Sequence, residues 1–200
     1  MARRLAAITL DNLGDVAEMP RRCLFWELGP GMKRDEDPEQ VKEAWVSSVL
    51  LEWGPCGTLV YVDGVPAGHV FYAPAAMVPR STSFPTSPVG ADAILLTSAQ
   101  VRPEFAGQGL GRVLVQTVAR DAVKRGIRAV EAFGAAGDHH DDCLLPVGFL
   151  QAVGFKTVRR HPRVPRMRLD LRTTLSWRED VEAALDRLLA TISAGHPSPA

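Results

Sequence analysis

Three alternating glycines, Gly107, Gly109 and Gly111, lie between a predicted strand and a predicted helix. A turn at such a junction directs unpaired backbone amides, together with the positive end of the helix dipole, toward one point. Because glycine has no Cβ atom, an anion can approach those amides closely. We therefore interpret residues 107–112 as a phosphate-binding loop. The alternative is a tight turn that needs glycine only for its dihedral angles.

The spacing of these glycines excludes two common nucleotide-binding motifs. A dinucleotide-binding fingerprint that began at Gly107 would require glycine or alanine where the chain has Arg112. One that began at Gly109 would require it where the chain has Leu114. A Walker-type loop ends in Gly-Lys-Ser or Gly-Lys-Thr, whereas here Arg112 follows the last glycine. A different phosphate ligand is therefore expected.

The loop is positioned by an alternation of strand-like and helix-like patterns. Residues 93–101 form an extended apolar pattern, a helical stripe follows the glycines and ends at Gly126, and residues 129–133 form another short strand. This unit places its two strands parallel, with the helix on one face of the sheet. The other expected elements are strands over 6–10, 58–62, 67–72, 156–160 and 166–171 and helices over 13–28, 38–52 and 144–153.

Two further segments have distinct compositions. Prolines and serines recur over residues 73–90, which predicts a flexible loop or a substrate flap with little strand pairing. A capping box beginning at Ser176 precedes an apolar helical stripe. We therefore expect a core domain over 1–172, a C-terminal helix over 173–194 that packs on the core or on a second subunit, and a tail over 195–200.

Composition limits the classes of protein. The chain has 200 residues, 46% of them hydrophobic, and its 23 basic and 23 acidic residues give a formal net charge of zero. No overall field therefore favours nucleic acid or an anionic membrane as a partner. The apolar run over 5–10 is too short for a signal peptide and no membrane-length span follows, so a cytoplasmic location is expected. Cys23, Cys56 and Cys143 are odd in number and far apart, which indicates reduced thiols.

The segment from Val101 to Gly111, Val-Arg-Pro-Glu-Phe-Ala-Gly-Gln-Gly-Leu-Gly, resembles the acyl-CoA loop of the GNAT acyltransferase superfamily. The order of the predicted elements and the later pair Gly154-Phe155 agree with that resemblance. It implies an α/β (α+β) fold: a central mixed, mostly antiparallel sheet of about six to seven strands flanked by helices, plus a C-terminal helix. It also implies acetyl-CoA as co-substrate. By this resemblance, the pantetheine arm of acetyl-CoA would pair with the backbone near Ala99, Gln100 and Val101. The pyrophosphate of acetyl-CoA would bind the amides of Gly107, Gln108, Gly109, Leu110, Gly111 and Arg112.

The chain departs from the family pattern at three positions. Ala106 replaces the usual arginine or glutamine, which should weaken pre-organisation of the turn but leave the amides that bind phosphate. Leu150 stands where many members carry a tyrosine that protonates the coenzyme A thiolate, and Cys143 replaces the usual preceding asparagine. Proximity of amine and thioester can itself lower the barrier by several kcal/mol without a dedicated side chain.

The polar segment over 137–143 is the candidate source of a replacement acid and base. A histidine beside carboxylates can accept the amine proton, and a thiol can protonate the leaving thiolate. His139 and Cys143 are the candidate catalytic residues, and a solvated polar loop is the alternative. Because His139 and His140 are adjacent and cannot easily share one ion, no metal site is expected.

The resemblance implies an N-acyltransferase that moves an acetyl or short acyl group from acyl-CoA directly to an amine in a ternary complex. A non-catalytic acyl-CoA-binding or regulatory domain is the alternative. The acceptor amine belongs to a small molecule or a protein, and nucleic acid and membrane are not expected as partners. Glu27 could select a cationic amine, the alternative being an ordinary solvated carboxylate. A homodimer could form through the last helix.

Overall fold

The computed structural model describes residues 2–31, 37–137 and 143–171. The predicted C-terminal helix over 173–194, the tail over 195–200 and His139 lie outside these ranges. The described strands are β1 (Arg3–Ala7), β2 (Gly57–Val62), β3 (Val65–Ala73), β4 (Ala93–Val101), β5 (Ala129–Ala135), β6 (Leu145–Pro146), β7 (Lys156–Arg159) and β8 (Arg166–Asp170). The described α-helices are α1 (Glu18–Arg22), α2 (Pro38–Glu52), α3 (Leu110–Lys124) and α4 (Val147–Ala152).

One sheet contains all the described strands, in the order β1-β2-β3-β4-β5-β8-β7, and the short β6 pairs with β5 outside that path. The pairs β4–β5 and β5–β6 are parallel and the others are antiparallel. The predicted mixed, mostly antiparallel sheet flanked by helices is therefore confirmed. The parallel pair β4–β5 is joined through α3, as the strand, turn, helix, strand pattern predicted.

Helices cover both faces of the sheet, and each face has its own apolar cluster. In α3, Leu114 and Val118 are fully buried and pack in one cluster together with Leu96 of β4. Val46 of α2 lies in the other cluster together with Leu95. Adjacent strand residues point to opposite faces, so Leu95 and Leu96 connect β4 to both layers. β4 is therefore held firmly from two sides at the point where the site begins.

Helix α2 begins and ends where the sequence predicted. The Asp37 side chain accepts a hydrogen bond from the Glu39 amide at 3.2 Å, and Pro38 occupies the first helical position. Both features stabilise a helix start through local interactions. Local capping chemistry therefore sufficed to place this element.

The first part of the chain differs from the prediction. The first strand ends at Ala7, and a 3-10 helix over Leu10–Asp15 replaces its expected continuation. The Thr9 amide donates to Asn12 Oδ1 at 2.8 Å, which turns the chain away from the sheet. The helix expected over 13–28 was wrong in extent, because only α1 forms and Val16 adopts extended dihedral angles before it.

Residues 73–90 beyond β3 form no further strand, as predicted, but they are packed against the core. Two short 3-10 helices, Ala75–Met77 and Pro79–Thr82, occupy part of the segment. The Thr86 hydroxyl donates to the Val164 carbonyl at 3.0 Å, and the Trp45 indole donates to the Met77 carbonyl at 2.8 Å. Side-chain hydrogen bonds of this kind satisfy backbone carbonyls that have no partner in a neighbouring strand.

The helix expected over 144–153 is shorter than predicted. Leu145 and Pro146 form β6 beside the end of β5, and α4 begins only at Val147. Proline lacks an amide donor but fits an edge strand. No helix among the described residues is long and apolar enough to span a membrane.

Candidate acyl-CoA and acceptor site

Strands β4 and β5 separate after a short parallel ladder. Only residues 93–95 of β4 pair with residues 129–131 of β5. Thr97 has no counterpart in the register with β3 and forms a bulge, which its hydroxyl fixes by donating to the Phe71 carbonyl at 3.1 Å. Beyond the bulge, β4 has no described strand partner on its β5 side. Its backbone groups there are available to an extended ligand.

A cavity of about 310 Å³ fills the space where the strands separate. Residues of β3 and β4 line the cavity. The other lining residues come from α1, the residues after it and α2, and from the end of β5 and the residues leading into β6. The lining includes Met19, Pro20, Cys23, Trp26, Glu27, Lys42, Phe71, Thr97, Ser98, Ala99, Gln100, Ala135, Gly137, Cys143, Leu144, Leu145 and Pro146. The structure thus brings four predicted site residues, Ala99, Gln100, Glu27 and Cys143, to one cavity.

The glycine loop lies beyond the C-terminal end of β4 and leads into α3. Gly107 and Gly109 have φ angles of +74° and +76°, which L side chains rarely adopt. A Cβ atom at either position would meet no atom within 4 Å, so the space beside these residues is open. Gly107 and Gly109 are therefore needed for their dihedral angles, as the alternative interpretation held. The open space beside them also leaves room for a ligand near the loop.

Helix α3 has an N-terminus without a side-chain cap. Gly109 is its N-cap residue and cannot provide a side-chain hydrogen bond. The first amides of an α-helix have no intrahelical acceptor, so those of residues 110–112 are available to an anion. This arrangement suits a phosphate group.

Gly111 and Arg112 have structural tasks that the sequence did not reveal. A Cβ atom on Gly111 would lie 2.8 Å from Phe149 Cε2, so glycine is required there for close packing of α3 on α4. The Arg112 guanidinium donates to the Ala152 carbonyl at 2.7 Å and caps the end of α4. Their contribution to an anion site is therefore limited to their backbone amides.

A buried ion pair supplies the charge in the cavity. Lys42 Nζ donates to Glu27 Oε1, and each side chain is only 5% exposed. The second carboxylate oxygen, Oε2, is buried and accepts no hydrogen bond from the described residues. Glu27 is therefore not the solvated carboxylate considered as an alternative. Glu27 lines the cavity, and an unsatisfied buried carboxylate oxygen favours a ligand with a donor group.

Two thiols meet in the wall of the same cavity. Cys23 follows α1, and its Sγ lies 3.2 Å from the Sγ of Cys143, 120 residues further along the chain. The hydrogen bond from Cys143, assisted by a backbone hydrogen bond at Phe25 and the charge of Lys42, lowers the pKa of Cys23 to about 6 although burial opposes the shift. The sequence predicted reduced thiols but not this contact.

Leu150 and His69 do not line the cavity. Leu150 is fully buried in the apolar cluster under α3 and does not line the cavity. Burial lowers the pKa of His69 to about 3, helped by the charge of Lys42, and its Nε2 lies 3.1 Å from the Ser98 hydroxyl. His69 is thus a buried, hydrogen-bonded histidine that stays neutral near pH 7.

The chain belongs to the acetyltransferase (GNAT) family, whose sequence model matches residues 16–155. That range includes the cavity and the glycine loop. A comparison with curated proteins finds no match.

Three solved structures show the same fold. The PaiA N-acetyltransferase from Thermoplasma acidophilum, in complex with coenzyme A, is 14% identical, covers 85% of this chain and 99% of its own, and has a TM-score of 0.55. An N-acetyltransferase from Staphylococcus aureus Mu50 is 16% identical, with coverages of 86% and 99% and a TM-score of 0.56. The yncA protein from Salmonella typhimurium, with its cofactor acetyl-CoA, is 15% identical, with coverages of 86% and 95% and a TM-score of 0.57.

Proposed function

We propose that the protein transfers an acetyl or other short acyl group from its coenzyme A thioester directly to an amine, with both substrates bound at once. The observation that carries this proposal is the open edge of β4, which has the cavity beside it and the glycine loop beyond its end. Two of the structural neighbours contain coenzyme A or acetyl-CoA. A single strand can thus guide the coenzyme from its phosphates to its reactive thioester.

The coenzyme is held mainly by backbone groups. In the proposal the pantetheine arm pairs with β4 at Ala99, Gln100 and Val101 on the side away from β3, where β5 no longer pairs with β4. The pyrophosphate binds the amides of residues 107–112 at the start of α3. The Ala106 side chain cannot hydrogen-bond to the pyrophosphate, and a site formed by backbone amides does not need a side-chain donor.

The acceptor amine is proposed to bind near Glu27. Its Oε2 can accept a hydrogen bond from an amine N–H, and because Lys42 already balances the charge of Glu27, the site suits the neutral amine that attacks the thioester. The apolar lining supplied by Met19 and Trp26 favours an amine carried on a hydrophobic body. A small molecule or an exposed side chain of a protein can provide such a group.

The proposed reaction proceeds by attack of the neutral amine nitrogen on the thioester carbonyl. The carbon–sulfur bond breaks, the new amide loses a proton to a base, and the coenzyme A thiolate gains a proton. Cys143 is the proposed acid because its thiol lines the cavity, whereas Leu150 does not. His139 is the proposed base from its place in the sequence. The hydrogen bond from Cys143 lowers the pKa of Cys23, which favours Cys143 as the donor in this pair.

The proposal is tested by following coenzyme A thiol release from acetyl-CoA with a panel of primary amines. We expect release that depends on the amine, and a drop in kcat of about 100-fold for Cys143→Ala, the scale of a lost general acid. Cys56→Ala is the matched control, because Cys56 is buried outside the cavity lining. Equal kcat for Cys143→Ala and this control would remove Cys143 from the mechanism.

The alternative is a non-catalytic acyl-CoA-binding domain. Leu150 favours it, because a leucine side chain has no proton to give to a thiolate. Calorimetric binding of acetyl-CoA combined with no thiol release for any amine would establish the alternative and contradict acyl transfer.

A further inference from the structure

The thiols of Cys23 and Cys143 join two segments of the chain that line the cavity. Cys23 lies directly after α1, and Cys143 lies in the segment between β5 and β6. The Trp26 indole donates to the Cys143 carbonyl at 3.1 Å, so the same two segments are already held together beside the thiols. Cys23 and Cys143 are both partly exposed, which leaves them accessible to a small oxidant.

We propose that Cys23 and Cys143 form a peroxide-sensitive dithiol whose oxidation to a disulfide closes the acceptor side of the cavity. The formation of the disulfide rests on the contact of the two thiols alone. Its effect on catalysis rests on the function proposed above.

The chemistry balances with hydrogen peroxide as the oxidant. The Cys23 thiolate attacks one peroxide oxygen, the oxygen–oxygen bond breaks, and the products are a sulfenic acid on Cys23 and hydroxide, which takes up a proton to become water. The Cys143 sulfur then attacks the Cys23 sulfur, its proton leaves with the hydroxyl group, and a second water forms. The two thiols lose two electrons and two protons in total, and the peroxide is reduced to two waters.

The surroundings favour Cys23 as the thiol that reacts first. Peroxide reacts with thiolates. The Cys143 hydrogen bond together with the nearby Lys42 charge favours the thiolate of Cys23, while burial and the Glu27 carboxylate oppose it. The third thiol provides an internal contrast. Burial raises the pKa of Cys56 to about 12, and the residue is fully buried.

The disulfide would alter the cavity through a small movement. Its formation shortens the sulfur–sulfur distance from 3.2 Å to about 2.05 Å. The new bond fixes Cys23 and Cys143, and with them two segments that line the cavity, at this shorter separation. A displacement of about 1 Å at a reacting group can lower a rate by about 100-fold. The proposed acid, Cys143, is also consumed.

The first measurement needs no activity. The reduced protein, which has three cysteines, is treated with hydrogen peroxide, quenched, denatured and titrated for thiols. We expect the count to fall from three to one. Trypsin releases Cys23 in peptide 23–33 and Cys143 in peptide 129–156, so mass spectrometry without reduction should find these two peptides joined.

Three variants act as controls for the chemistry. Cys56→Ala should still lose two thiols and join the same peptides, since both partners remain. Cys23→Ser should not form the cross-link. Cys143→Ser should stop at a Cys23 sulfenic acid that dimedone traps. Peroxide treatment of the native wild-type protein that leaves all three thiols, or that joins Cys56 to either partner, overturns the inference.

The second measurement concerns catalysis. Oxidised wild-type protein should show kcat/KM at least about tenfold below the reduced protein, with full recovery after dithiothreitol. An unchanged kcat/KM in the cross-linked protein would contradict closure of the cavity. If the reduced protein has no turnover with any amine, the function proposed above fails, while the peptide cross-link still decides whether the dithiol exists.

Discussion

Replacement of Gly109 separates the contribution of charge from that of backbone shape at the proposed pyrophosphate site. Gly109 has a φ of +76°, and a Cβ atom there would meet nothing within 4 Å. Asparagine and aspartate both tolerate this left-handed conformation better than other L residues. Gly109→Asn and Gly109→Asp therefore introduce similar strain and similar volume, and only the aspartate adds a negative charge.

The expected penalty follows from Coulomb's law. A carboxylate about 4 Å from a phosphate charge is disfavoured by about 4 kcal/mol at an effective dielectric constant of about 20. Each 1.4 kcal/mol is about tenfold in affinity, so screened values of about 3 to 4 kcal/mol correspond to about 100- to 1,000-fold. The penalty should shrink as ionic strength rises.

Isothermal titration calorimetry with coenzyme A measures this difference. We expect Gly109→Asp to bind at least about 100-fold more weakly than Gly109→Asn, with similar thermal unfolding midpoints for the two variants. Equal affinities for coenzyme A would refute the assignment of residues 107–112 to the pyrophosphate.

Three further predictions concern groups in or near the cavity. Glu27→Gln leaves the Lys42 ammonium buried without a charged partner and should lower the free energy of unfolding by about 3 kcal/mol. The double variant Glu27→Gln with Lys42→Met should regain stability in chemical denaturation but keep a raised KM for the amine, and a normal KM would exclude Glu27 from acceptor binding. Because the pKa of Cys23 is lowered to about 6, its alkylation by iodoacetamide should rise with a midpoint near that pH, whereas a midpoint near 9.0, the ordinary value, would contradict the thiol contact. The pKa of His69 falls from 6.5 to about 3 on burial, so its contribution to stability is present above pH 6.5 and is lost as the pH falls toward 3. His69→Gln should flatten this acid-induced loss in denaturation curves, and a curve that keeps the wild-type slope would contradict burial of a neutral histidine.

Elements defined by local signals were predictable from the sequence. The cap at Asp37-Pro38 fixed the start of α2, and the extended pattern over 93–101 matched β4 at both ends. Elements decided by distant contacts were not. The segment around Leu145 joins the sheet only because β5 has an open edge beside Gly134, and its local pattern is helical.

The proposed coenzyme site was more accessible to sequence reasoning than the proposed acceptor site. Gly107 and Gly109 adopt positive φ angles, and Gly109 begins α3 without a side-chain cap. These features lie within a few residues of each other, so the local sequence indicates them. The pairing of Lys42 with Glu27 and the contact between Cys23 and Cys143 join distant parts of the chain, so no local pattern announces them. Burial of Lys42 was also hidden, because lysine on a surface helix is ordinarily solvated.

Transfer of an isotope-labelled acetyl group tests the central proposal most directly. The protein is incubated with labelled acetyl-CoA and an amine that supports thiol release, and the label on the amine, on coenzyme A and on the denatured protein is followed with time. Direct transfer predicts that label appears on the amine in step with coenzyme A release, with no label bound covalently to the protein. Label that stays on coenzyme A, or that passes through a protein cysteine, would contradict the proposal.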